Sequence, residues 1–243
     1  MRTLGLLGGM AWPSTAEAYR LLNTEVAARL GGVHSAPLLV WSADFAEVEA
    51  LQREGAWEQA GALLADAARR LEQAGAEGLL LCTNTMHKVA DAIEAATSVP
   101  LLHIADTTAA AIRRDGTTRV GLLGTRFTME EPFLVDRLQG HAIDVLVPPA
   151  AARAQVHRVI YDELVHGTVE EASRAVFRSI AAELVDAGAA GIVAGCTEIE
   201  LLLGPEDIAG GWYPTTHLQV LAAVDWILDD HSAEPTATPR WSR

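Results

Sequence analysis

Cysteine is scarce in this chain, with two in 243 residues. That is too few for a disulfide framework and fits a reducing cytoplasm. Neither cysteine has the paired His/Cys spacing of a zinc site. Positive charge is also short: 18 Lys and Arg face 32 Asp and Glu, a formal net charge of −14. Nucleic acids and anionic membrane surfaces need a basic face, so neither is expected as a partner. No apolar run approaches the length that spans a bilayer. The short run Leu4-Gly5-Leu6-Leu7 is cut by Gly8-Gly9 and reads as a buried strand entering a loop, not as a signal peptide. A soluble intracellular protein is expected, and its 50% apolar content suffices for a proper core.

Strand-like and helix-like segments alternate from the start. Arg2–Leu7 is an apolar run, and Ser14-Thr15-Ala16-Glu17 reads as a capping box opening a helix that stops at Gly31-Gly32. Pro37–Ser42 is a second apolar run. Trp57–Gln73 has helical spacing, with Leu63, Leu64, Ala67 and Leu71 on one face. Gly78–Cys82 reads as a strand and Met86–Ala96 as a helix, and Leu101–Ile104 then Thr107–Arg114 repeat the pattern. Such βαβα order predicts parallel strands covered by helices on both faces.

The second half restarts the first. Arg119-Val120-Gly121-Leu122-Leu123-Gly124 echoes Thr3-Leu4-Gly5-Leu6-Leu7-Gly8, an offset of 116 from Gly5 to Gly121. Ala187-Gly188-Ala189-Ala190-Gly191 before Cys196 echoes Ala74-Gly75-Ala76-Glu77-Gly78 before Cys82, an offset of 114 between the cysteines. Two matched blocks at nearly constant offset indicate an internal duplication. Residues 1–101 with 215–230 are expected to form an N-terminal lobe and 102–214 a C-terminal lobe. The segment 231–243, with Pro235 and Pro239, is expected to be a disordered tail.

Both cysteines end an apolar run: "LLLCTNTMHK" holds Cys82 and "IVAGCTE" holds Cys196. Ligands of open α/β sheets bind outside the carboxyl ends of the strands, so both thiols are expected at one crevice. Each precedes a helix, whose N-terminal partial charge is expected to lower the thiol pKa. Thr83, Asn84, Thr85 and Thr197 supply hydroxyls, an amide and backbone N–H groups suited to a carboxylate. Residue type alone leaves three readings open: buried core cysteines, a single nucleophile, or a symmetric pair. In the last, one thiolate takes a proton from one face of a carbon and one thiol returns a proton to the other.

"GLLGGM", "CTNTMHK", "LLGTRFTME" and "GCTEIELL", in that order, resemble the aspartate/glutamate racemase superfamily. The likeness is greatest to its aspartate racemase-like, broad-specificity amino acid racemase branch. The resemblance implies two pseudosymmetric, Rossmann-like α/β lobes with the active site at their interface. It further implies no cofactor and no metal, an amino acid substrate, a homodimer, and Cys82 and Cys196 as the catalytic pair. Carried over residue by residue, it places Met10 of the first loop and Gln52 at the substrate. Thr83, Asn84 and Thr85 would hold the α-carboxylate, with Thr125 and Thr128 as counterparts and Thr197 as the mirror of Thr83. Thr128 is equally suited to capping a helix, Ser14 to capping or binding, and Glu198 to meeting the ammonium or opening a helix. His87 and Lys88 are expected to face solvent.

Some positions depart from the family pattern. Aspartate-specific relatives grip the side-chain carboxylate with basic residues, one a lysine where this chain reads Glu163-Leu164-Val165-His166-Gly167. The other stretch, Phe45-Ala46-Glu47-Val48-Glu49-Ala50, is acidic, and the first loop lacks the acid of glutamate racemases. Strict aspartate or glutamate specificity is therefore not expected, with His166 and Arg126 the basic residues left nearby. Pro214 and Gln219 stand where relatives have aspartate and histidine. The alternatives are a hydantoin racemase, decarboxylase or isomerase of the same superfamily, or an amino-acid-binding homologue with weakened activity.

Overall fold

A computed structural model of the chain describes residues 1–229; the expected tail at 231–243 lies outside the described residues. In chain order the elements are β1 (Leu4–Gly8), α1 (Trp12–Leu30), β2 (Leu38–Ser42), α2 (Phe45–Glu54), α3 (Trp57–Gln73) and β3 (Gly78–Leu81). A 3-10 turn at Thr85–Val89 leads into α4 (Ala90–Glu94) and α5 (Ile104–Arg114). The second half runs β4 (Arg119–Gly124), α6 (Arg126–Glu130), α7 (Pro132–Gly140), β5 (Asp144–Leu146), α8 (Ala150–Asp162) and α9 (Glu171–Asp186). It ends with β6 (Gly191–Gly195), α10 (Ile199–Leu202), β7 (Gly211–Pro214) and α11 (Thr215–Leu228).

All strands pair in parallel, as the alternation predicted. One sheet has the order β2-β1-β3 and the other β5-β4-β6-β7. Leu101 adds a single parallel bridge to Leu79, at the place β7 holds in the second sheet. The duplication is thus visible in strand order as well as in motif: an α/β fold of two matched lobes. The repeated glycines have a packing reason. A Cβ on Gly5 would press on Ala76, Leu79 and Leu71, and one on Gly121 on Ile192 and Leu184. Those contacts let α3 and α9 approach their strands closely.

Strands β1 and β3 are apolar and buried on both faces, as expected for a sheet covered twice, while the edge strand β2 is partly exposed. Leu7, Leu79 and Leu81 pack with α2 and α3, while Leu4, Leu6, Leu80 and Cys82 pack with Ala18, Leu22 and Val26 of α1. Burying each such leucine contributes about 1.5–3 kcal/mol. The α1 layer is completed by Val220, Ala223, Val224 and Ile227 of α11, which follows the last strand of the other sheet. Reciprocally, Ile104, Ala105, Ala109 and Ile112 of α5, which follows the Leu101 bridge, pack with Leu134 and Leu138 of α7 and with the second sheet. The two lobes therefore exchange helices.

Three local expectations give way. α1 begins at Trp12 with Pro13 in its first turn, so Ser14 and Thr15 lie inside the helix and form no capping box. Thr15 Oγ1 instead accepts the Gly9 N–H at 2.8 Å. The helix expected over Met86–Ala96 is a 3-10 turn followed by α4. The strand expected at Leu101–Ile104 is one bridge, because His103 caps α5 by accepting the Ala105 N–H on Nδ1 at 3.1 Å.

Candidate active site

Parallel register brings the loops after β1, β3, β4 and β6 to one end of the molecule. Leu7 lies opposite Leu81 and Gly124 opposite Gly195, and the Cys82 N–H donates to Leu7 O at 2.9 Å. Between these loops lies a cavity of about 90 Å³. Its wall includes Met10, Ser14, Gln52, Thr83, Asn84 and Thr85 from the first half. From the second half come Thr125, Tyr161, Cys196, Thr197 and Glu198. A larger concavity of about 430 Å³ lies elsewhere, lined by Leu146, Val147, Pro148, Pro149, Arg153, Ile180, Glu183, Leu184 and Ala187, with no thiol or hydroxyl.

The two cysteines do not stand alike. Cys196 lines the cavity, and its Sγ donates to Glu198 Oε2 at 2.8 Å. Glu198 Oε1 accepts the Ser14 hydroxyl at 3.4 Å, so this carboxylate ties α1 of one lobe to the Cys196 loop of the other. Cys82 is not among the wall residues; it lies one residue behind Thr83, in the core shared by α1 and α11. The expectation of lowered thiol pKa values is overturned. Burial pushes the Cys82 thiol up to about 12, against a small opposing effect of the Thr15 hydroxyl. Burial, then the Glu198 charge, raises the Cys196 thiol well above its ordinary value. The helices that follow are too short to compete: a 3-10 turn after Cys82 and the four-residue α10 after Cys196.

Most predicted binding residues reach the cavity: Met10, Gln52, Thr83, Asn84, Thr85, Thr125, Thr197 and Glu198. Gln52 is buried, not a surface residue, and its amide donates to Met86 Sδ at 2.9 Å. Thr128 does not reach it. Thr125 is the N-cap of α6, accepting the Thr128 N–H at 3.4 Å, and the fully buried Thr128 lies beneath with its hydroxyl 3.2 Å from that of Thr125. Tyr161, Phe45, Ile160 and Val165 complete the wall. Phe45 and Val165 stand in the two stretches the resemblance singled out, whereas Ile160 and Tyr161 of α8 carry no local signal, because α8 reaches the cavity only through tertiary packing.

Groups behind the wall hold the loops in place. Thr215 Oγ1 is 2.8 Å from Ala194 O and 3.1 Å from Asn84 Oδ1, joining β6 and the Asn84 loop at the start of α11. Gln219 Nε2 donates to Leu102 O at 2.8 Å. His87 and Lys88 do not face solvent. The buried His87 donates from Nδ1 to Thr83 O at 2.7 Å and accepts the Ile104 N–H on Nε2 at 3.2 Å. Burial lowers its pKa to about 4, so the ring is neutral. Lys88 pairs with Glu131 and lies 3.8 Å from the Trp57 ring centroid, where Trp57 meets Phe127 edge-on across the lobes. Glu200, behind Glu198, has one carboxyl oxygen without a partner and faces the Thr216 and His217 amides at the start of α11. Burial raises its pKa to about 8, with Glu17 and Glu198 adding to the shift.

Among the described residues no group of three or more His, Cys, Asp or Glu side chains is placed to hold a metal ion. Among them, too, no helix is long and apolar enough to cross a membrane.

A model of the Asp/Glu/hydantoin racemase family matches residues 7–211. A crystal structure of a Yersinia pestis protein assigned as an Asp/Glu racemase superposes with a TM-score of 0.91 at 48% identity, over 94% of this chain and all of that one. An aspartate racemase homologue from Pyrococcus horikoshii superposes with a TM-score of 0.82 at 26% identity, over 94% and 100% of the two chains. An uncharacterised protein from the pnlA 3′ region of Pectobacterium carotovorum is 35% identical over 106 residues, 44% of this chain and 69% of that one.

Proposed function

This chain belongs to the Asp/Glu/hydantoin racemase family, and from that premise we propose that it is a cofactor-independent amino acid racemase using Cys82 and Cys196 as its two proton-transfer groups. The observation that carries the reading is the Cys196 thiol, set in the cavity wall with its proton directed at Glu198. A raised thiol pKa makes the resting group a thiol, so a base must take its proton before it can act. Glu198 is placed to be that base.

The Thr83, Asn84 and Thr85 loop and Thr125 offer donors for the α-carboxylate. With that group held, Cys196 thiolate takes the α-proton, and the electron pair left on carbon delocalises into the carboxylate. The Cys82 thiol then delivers a proton to the opposite face, leaving Cys82 as thiolate and Cys196 as thiol. Proton exchange with Glu198 and solvent restores the starting forms. Because Cys82 lies behind the wall, this route requires that substrate binding expose its sulfur. Two accompanying expectations rest on the resemblance and on cysteine usage: a homodimer, and a reducing cytoplasmic setting.

The unequal placement of the thiols favours one second reading, single-thiol chemistry such as decarboxylation by Cys196. One experiment separates the two. Single L-amino acids incubated in deuterated water should yield the D-enantiomer carrying α-deuterium. Cys82→Ala and Cys196→Ala should each lower racemisation by about 10²–10⁴-fold. Retention of turnover in Cys82→Ala would favour the single-thiol reading, and an amino acid panel without exchange would reject the racemase.

A further inference from the structure

Resting on the racemase reading, we infer that this site takes an amino acid with an uncharged side chain, not one with a second carboxylate. Among the described residues no Lys, Arg or His lines the cavity, and its one acidic wall residue is Glu198. The strand-end threonines and Asn84 suffice for one carboxylate. What remains for the side chain is a mostly apolar surface of Met10, Phe45, Ile160 and Val165, with the uncharged polar groups of Gln52 and Tyr161.

A second carboxylate in that place would be desolvated without a cationic partner, beside the negative charge shared by Glu198 and Cys196. The cations nearby are committed or outside. Lys88 is paired with Glu131, and Arg53 with Glu49 at 2.8 Å. Arg126 is exposed and does not line the cavity, although its charge is felt at Tyr161. The cationic side chains of lysine and arginine would lie against the apolar residues of the wall.

The test measures kcat/KM for solvent-deuterium exchange at Cα with alanine, serine, homoserine, methionine, aspartate, glutamate, lysine and arginine. Neutral substrates should lead aspartate and glutamate by at least about tenfold. Val165→Lys, which places a cation on the apolar surface, should raise the aspartate-to-neutral ratio by at least about tenfold. Arg126→Ala should leave that ratio within about twofold. Fastest exchange with aspartate or glutamate, or with lysine or arginine, overturns the inference while the racemase stands. A drop in the aspartate ratio in Arg126→Ala also overturns it, by showing that this guanidinium reads the side chain. Absence of exchange with every substrate instead overturns the racemase reading itself. Should Val165→Lys fail to fold, the wild-type panel and Arg126→Ala decide the matter alone.

Discussion

Replacing Glu200 by Gln tests the electrostatics of the loop behind Cys196. In the folded protein the Glu200 carboxyl titrates near pH 8, against an ordinary value of 4.5, chiefly because it is buried. The folded state therefore keeps the proton through a window in which the unfolded chain has lost it. The contribution of Glu200 to stability is fully present below pH 4.5 and declines as pH rises toward 8, above which the loss is constant. Within the window the slope is about −1.4 kcal/mol per pH unit, with an upper limit near 5 kcal/mol. Contact with the Thr216 and His217 amides and local relaxation should leave about 2–4 kcal/mol of this observable. Gln keeps the shape and an acceptor for those amides but has no proton to lose. Urea unfolding of both proteins at pH 5, 6, 7, 8 and 9 gives a difference in which every shared titration cancels. The variant should gain on the wild type steadily from pH 5 to 8 and then level off. A difference that is flat with pH, or that shrinks as pH rises, would refute the assignment of a buried, proton-holding carboxyl.

His87→Phe acts with the opposite sign. A buried histidine titrating near 4 instead of 6.5 lends stability above pH 6.5 that is lost as pH falls toward 4. The variant should cost about 2–4 kcal/mol at pH 7 and be less acid-sensitive below pH 6.5, and loosening of Thr83 should raise KM more than it lowers kcat. An unchanged acid slope in unfolding experiments would count against it. Gly9→Ala should destabilise by about 2 kcal/mol or more: Gly9 has φ +88, and a Cβ there would collide with the backbone of Ala43. A variant with wild-type melting temperature would contradict that geometry.

The duplicated βα pattern and the strand-end cysteines were legible because they are local: an apolar run, a glycine stop, a thiol. Burial was not, and it decided the chemistry. The helix-dipole argument predicted acidic thiols, yet Cys82 and Cys196 lie so deep that desolvation reverses the sign. The same blindness placed His87 and Lys88 in water. The supposed capping box failed because Pro13 starts the helix one turn earlier, freeing Thr15 to hold Gly9. Tyr161 belongs to a segment without any motif, and only the packing of α8 against the second sheet shows it at the cavity.

The traded helices bear on ancestry. A solitary half with the first sheet's order would have shown water the bare surface that α11 now covers, including Leu4, Leu6 and Leu80. Two copies, each lending its final helix to its twin, would have hidden that surface mutually. Fusion of the genes would then have sewn a swapped pair into one polypeptide, leaving its seam as the cavity that Cys196 lines.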